Sequence, residues 1–187
     1  MFHKIQLILF LTVYTAIYLE YKPTTINKNN ILIGIFVYES PVSKTKIEDL
    51  LESYKTQMKT LFTFYPFTAL PIFIIDNKSI SFSYFIIWSC ALYMISKYYF
   101  EKSHTYLKKY LLENNKELLS HENEFWINGR HYYNKDCPSL FVKSPSNNLY
   151  YLNLAKKLGY YLHKFLGPFA LSIAVIITFL LIIMDFK

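Results

Sequence analysis

Glycine is scarce, with four in 187 residues, and none stands in a glycine-rich phosphate loop. A nucleotide site is therefore not expected. Cysteine is scarcer still. Cys90 lies in an apolar run and Cys137 in a polar segment, two places that differ in depth, so no disulfide is expected. The fixed-spacing signatures of catalysis are missing: there is no His-Glu-x-x-His, no Ser–His arrangement and no pair of metal ligands. His131, Asp136 and Cys137 lie close together but lack such pairing, and His104, His121 and His163 are isolated and read as solvated. No cofactor and no metal are expected, and the chain is read as a non-enzyme. Acidic residues are also few, 13 against 20 Lys and Arg, for a net charge of +7. That excess reads as membrane orientation and attraction to anionic lipid, with no nucleic acid as partner.

What is present is apolar and aromatic. Aromatics make up 19% of the chain, and the apolar residues come in blocks of membrane length rather than in a soluble protein's periodic pattern. Four blocks are expected to be transmembrane helices: 5–21, 61–75, 80–96 and 165–185. The first lacks a small-x-small cleavage site and reads as an uncleaved helix. The second is short and holds Pro66 and Pro71, which kink a helix. The turn Asp76-Asn77-Lys78-Ser79 joins it to the third as a helical hairpin. Gly167-Pro168 marks a bend near the start of the fourth. No Asp, Glu, Lys or Arg stands within the apolar runs 5–19, 61–75, 80–95 and 165–184, which disfavours a self-contained pump.

Between the blocks lie two polar stretches, 22–60 and 97–164. In the first, Ile31 to Tyr38 is an apolar patch too short to span, read as a buried or interface-lying piece. Thr45 and Glu48 have capping-box spacing. Ile47, Leu50, Leu51, Tyr54 and Met58 then recur at helical spacing and predict an amphipathic helix. Residues 97–119 continue the third span as a charged helix. Lys and Arg number six in 21–60 and eleven in 96–164, leaving only Lys4, Lys78 and Lys187 elsewhere. With four spans, that bias places both polar stretches in the cytoplasm and the termini outside a cell membrane.

Within 97–164, the stretch 125–143 predicts a small β-hairpin: Phe125-Trp126-Ile127 as anchor, a strand over 130–133, turn formers at 134–138 and a second strand over 140–142. Tyr151, Leu154, Ala155, Leu158, Leu162 and Phe165 then share one helical face, opposite Asn153, Lys156, Lys157, Tyr160 and Lys164. Such a basic amphipathic helix lies in the interface plane, with Lys156, Lys157 and Lys164 facing lipid.

The series Trp126-x-x-Gly129-x-x-Tyr132-Tyr133-Asn134-x-Asp136-x-Pro138-x-x-Phe141-Val142, followed by Leu152-Asn153, resembles a domain of unknown function found in small integral-membrane proteins of Gram-positive bacteria. Some relatives in that group are similar to SdpI-like proteins, which confer immunity to a secreted toxin and take part in signalling. The resemblance implies no catalytic residue. It makes Trp126, Gly129, Tyr132, Tyr133, Asn134, Asp136, Pro138, Phe141 and Asn153 the candidate interaction residues.

The fold class expected is an all-α membrane protein with four transmembrane helices, a small cytoplasmic β-hairpin and amphipathic helices. The leading function is presentation of that hairpin and the basic helices to a protein partner, a second copy or membrane lipid, in a sensor, accessory or immunity-type role. The alternative is an oligomeric transport or pore component gated by the Pro66/Pro71 helix. An enzyme built around His131 and Asp136 ranks third.

Overall fold

One long helix, α4 (Lys78–Asn114), organises the molecule. At 1.5 Å per residue it is about 55 Å long. Asn77 caps it, its side-chain Oδ1 accepting from the Ile80 amide at 2.9 Å, so one of the free donors at the helix start is satisfied. The computed structural model describes residues 2–22, 31–38, 45–114, 116–127, 131–144 and 150–166, together with 176, 177, 180 and 183.

Two helices flank α4. Helix α1 (Phe2–Tyr21) runs parallel to it: Gln6 meets Ser81, and Tyr21 meets Phe100. Helix α2 (Thr45–Phe64) runs antiparallel, with Lys46 over the Tyr110 ring and Tyr54 against Phe100. The apolar stripe of α2 is turned inward. Ile47, Leu51, Tyr54 and Met58 are all buried, and burying a side chain such as Met58 contributes roughly 1.5–3 kcal/mol.

Beyond α2 the chain breaks at its prolines. A 3-10 turn (Tyr65–Ala69) and the short α3 (Pro71–Ile74) each begin with a proline near the start, where the missing N–H costs no hydrogen bond. The broken segment is tied to its neighbours. Tyr14 on α1 donates to the Phe62 carbonyl, which Pro66 leaves without an amide donor, at 2.6 Å. From α4, Tyr84 donates to the Thr68 carbonyl and Trp88 Nε1 to Thr68 Oγ1, each at 2.9 Å.

The patch 31–38 is a β-hairpin of β1 (Ile31–Leu32) and β2 (Ile35–Phe36). Its two-residue turn has positive φ at both positions, 46° at Ile33 and 77° at Gly34. That geometry suits glycine at the second position and strains a β-branched residue at the first. The pairing sorts the faces. Leu32 and Ile35 join the main core around α4, and Ile31 and Phe36 join a second core around Trp126. The hairpin is therefore buried on both sides, a wedge between two cores. A lone two-stranded hairpin is marginal in water, and here packing on both faces supplies what pairing does not.

The expectation of four transmembrane helices is overturned. Among the described residues only α4 is long and apolar enough to cross a membrane. The 61–75 run is not one helix, because Pro66 and Pro71 divide it into three pieces. In α1, Lys4, Gln6 and Glu20 dilute an otherwise apolar helix. Most of the expected last span, 165–185, lies outside the described residues. With one such helix, the alternation that placed both polar stretches in the cytoplasm and the termini outside no longer follows. The described residues are mostly helical but not all-α, since three two-stranded sheets occur among them.

The single hairpin expected over 125–143 is also replaced. Strand β3 (Trp126–Ile127) pairs with β4 (His131–Tyr132), and β5 (Phe141–Lys143) pairs with β6 (Tyr150–Leu152). Strand β4 touches the second pair through a parallel bridge from Tyr132 to Asn153. The interfacial helix expected from Tyr151 onward is shorter, because 150–152 is strand; helix α5 covers 157–166.

Candidate functional site

The motif-bearing segment folds around one buried amide. Asn153 is fully buried. Its Nδ2 donates to the Asn134 carbonyl at 2.8 Å, with the Cys137 and Ser139 carbonyls each at 3.4 Å. Its Oδ1 accepts from the Asn134 amide at 3.2 Å and the Ala155 amide at 3.1 Å. The side chain thus pairs loop 133–139 as a backbone strand would, which is how a buried amide meets its hydrogen-bonding requirement. The backbone adds to this, as Asn153 N donates to Leu140 O and Leu154 N to Tyr132 O.

Asn134 organises the turn beside it. Its Oδ1 accepts from the Asp136 amide at 2.9 Å and the Cys137 amide at 3.3 Å, an Asx-type turn. Its Nδ2 donates to the Tyr132 hydroxyl at 3.2 Å. Burial raises the Tyr132 phenol above its ordinary value of 10.0, while the Asn134 hydrogen bond pulls it down.

Trp126 is the centre of the second core. Its ring lies 5.1 Å from Tyr132, 5.7 Å from Tyr151 and 6.0 Å from Phe36. The first two are edge-to-face contacts, favourable for aromatic quadrupoles. Gly159 closes the site on the α5 side. A Cβ there would stand 2.2 Å from the Asn153 carbonyl oxygen, so α5 can approach only with glycine at this place.

The candidate interaction residues divide into two groups. Trp126, Tyr132 and Asn153 are buried and hold the unit together; their contacts are internal. Tyr133, Asp136, Pro138 and Phe141 are exposed, and Asn134 is half-buried. Gly129 lies outside the described residues. Of the lysines, Lys157 and Lys164 are exposed, and Lys156 is half-buried with its Nζ donating to the Lys135 carbonyl at 3.1 Å.

Two residues outside the motif join this unit to the rest. Asn123 pairs with the backbone of Phe36, accepting from its amide at 2.9 Å and donating to its carbonyl at 2.6 Å. His104, read from sequence as solvated, is buried on α4. Its Nδ1 lies 2.9 Å from the carbonyl of Ile33, the strained turn residue, and its Nε2 has no partner. Burial lowers its pKa from the ordinary 6.5, the Ile33 bond raises it, Lys108 lowers it and Glu101 raises it. Nothing in the sequence pattern marked either residue, since both lie in charged, polar stretches.

No group of three or more metal-ligating side chains occurs among the described residues. His131 lies against His163, ring centroids 4.9 Å apart, rather than forming a cluster with Asp136 and Cys137. No protein-family model, no curated protein and no solved structure matches this chain.

Proposed function

We propose that the chain is a non-enzymatic, membrane-anchored protein that holds a folded polar unit at the membrane face for a protein partner or lipid. The observation that carries this reading is where its apolar side chains are exposed. Charged residues are missing from 5–19, 60–75 and 79–96, and these three stretches lie side by side. Their outward side chains are large and apolar: Ile8 on α1, Phe67 and Ile74 in the proline-broken segment, and Ile87 and Met94 on α4 are each more than 60% exposed. A soluble monomer rarely leaves so continuous an apolar surface open to water. The stretch 79–96 of α4 spans about 27 Å, close to a bilayer's hydrocarbon thickness.

The other half of α4 is different. From Lys97 onward it carries charge, α2 and the β1–β2 wedge pack there, and the Trp126 unit packs in turn on the wedge through Phe36. Internal hydrogen bonds and packing occupy that unit, which has the design of a rigid platform rather than a reactive pocket. The test is fractionation of cells making the tagged full chain. Retention in the membrane pellet after alkaline carbonate, with release only by detergent, is expected. Release by carbonate or salt alone refutes the anchoring.

A further inference from the structure

From Cys137 to Met184 the sequence holds no carboxylate, while Lys143, Lys156, Lys157 and Lys164 all fall within that stretch. The β5–β6 pairing then sorts its side chains by face. Phe141 stands opposite Leu152, and Lys143 opposite Tyr150. Directly paired residues, and residues two apart along a strand, share a face, so these four line one side. Val142 and Tyr151 line the other, against the Trp126 core. The outer side is open: Phe141 is 56% exposed, Tyr150 is 68% exposed, and Lys143 is exposed between them.

The inner face fixes the depth of this hairpin. Tyr151 donates to Glu20 Oε2 at 3.2 Å, and Glu20 is the residue at which the charge-free stretch of α1 ends. The hairpin therefore stands at the border between the apolar and polar halves of the molecule. Helix α5 continues the same chemistry, with Tyr160, Tyr161 and Phe165 exposed beside Lys157 and Lys164. Aromatic rings with lysines and no acid are the composition of a protein surface at the level of lipid headgroups.

We propose that the outer face of β5–β6, continued by α5, binds the phosphate headgroups of anionic lipids. The inference rests on the membrane-anchored reading above and names its lipid partner. Phe141 and Tyr150 supply apolar contact at the acyl boundary, and Lys143 supplies charge to the phosphates. Charge complementarity selects an anionic partner, because the face offers cations and rings but no carboxylate, and its place beside Glu20, where the apolar half ends, makes that partner lipid.

The test uses the full chain in phosphatidylcholine nanodiscs with and without phosphatidylglycerol. A fluorophore is placed on Ser139→Cys, an exposed site off the proposed face, in a Cys90→Ser/Cys137→Ser background, and a headgroup-linked quencher is added to the lipid. Quenching several-fold stronger with phosphatidylglycerol is expected, as is loss of that gain in Phe141→Ser/Lys143→Gln. Both substituted residues are exposed, so native emission of Trp88 and Trp126 serves as the folding control. Equal quenching in the two lipids, no quenching in either, or wild-type quenching in the double variant overturns the proposal. Failure of the chain to enter nanodiscs at all overturns the anchoring reading with it; entry without lipid-dependent quenching overturns this proposal alone.

Discussion

Replacing Asn153 with alanine removes the amide on which loop 133–139 closes. The variant strands the Asn134 and Ala155 amides, which now donate to Oδ1 at 3.2 and 3.1 Å, and leaves the Asn134 carbonyl without its 2.8 Å donor. Each buried polar group so orphaned costs about 1–3 kcal/mol. Water can reach some of them once the loop loosens, so the total is set at roughly 3–5 kcal/mol. That is a large share of the ~5–15 kcal/mol that holds a domain folded. Urea unfolding of the detergent-solubilised protein, followed by Trp126 emission in a Trp88→Phe background, reads this loss. Hydrogen exchange localises it to residues 131–143 and 150–156, with the helical core around Leu92 and Leu107 unchanged. Asp136→Ala, an exposed neighbour, is the control and should stay within about 0.5 kcal/mol of wild type. An Asn153→Ala variant as stable as that control would refute the role given to the buried amide.

Other perturbations follow from the same geometry. Gly159→Ala places a Cβ against the backbone of Asn153 and should cost at least 1–3 kcal/mol, seen as faster proteolysis within 133–156. Trp126→Ala should cost about 3–5 kcal/mol and open the second core, giving a cooperative loss of Tyr132 and Tyr151 ring order by NMR rather than a local surface defect. His104 gives the pH dependence. The unfolded chain binds a proton near the ordinary 6.5, whereas the folded chain resists it because burial lowers the pKa; the unfolded state then binds more protons, so stability falls as pH drops below about 6.5. His104→Gln, which keeps a donor for the Ile33 carbonyl but does not titrate, should flatten that fall in denaturation midpoints measured across the range.

Helical period made much of the main core legible. Ile47, Leu51, Tyr54 and Met58 stand at the spacing of a single face and are buried together on α2. The continuity of 80–96 with the charged helix after it appears as the unbroken α4. The prolines were visible, but whether Pro66 and Pro71 kink one helix or divide it depends on the neighbouring helices, whose Tyr14 and Tyr84 donate to the Phe62 and Thr68 carbonyls. Strand partners were not legible. With strands of two or three residues, local pattern cannot say whether β4 pairs forward with β5 or back with β3, and the choice is made by Trp126 packing and by Asn153. Tyr150 to Leu152 fit a helical face as well as a strand, and the Asn153 hydrogen bonds decide for the strand. The same physics separates the motif residues. Of the aromatics and asparagines read as a recognition surface, Trp126, Tyr132 and Asn153 are the interior of a small platform, while Tyr133 and Phe141 stay exposed.

The anchoring of the charge-free half is tested most directly through a native thiol. Cys90 is exposed on α4 within the stretch 79–96. In a bilayer it faces lipid, where no water is present to form the reactive thiolate. In intact membranes carrying the Cys137→Ser protein, a water-soluble maleimide should leave Cys90 unlabelled until detergent and denaturant are added, while a Lys102→Cys thiol, one turn beyond the charged boundary at Lys97, labels at once. Labelling of Cys90 as fast as Lys102→Cys in the untreated membranes would contradict the placement of this half in the bilayer.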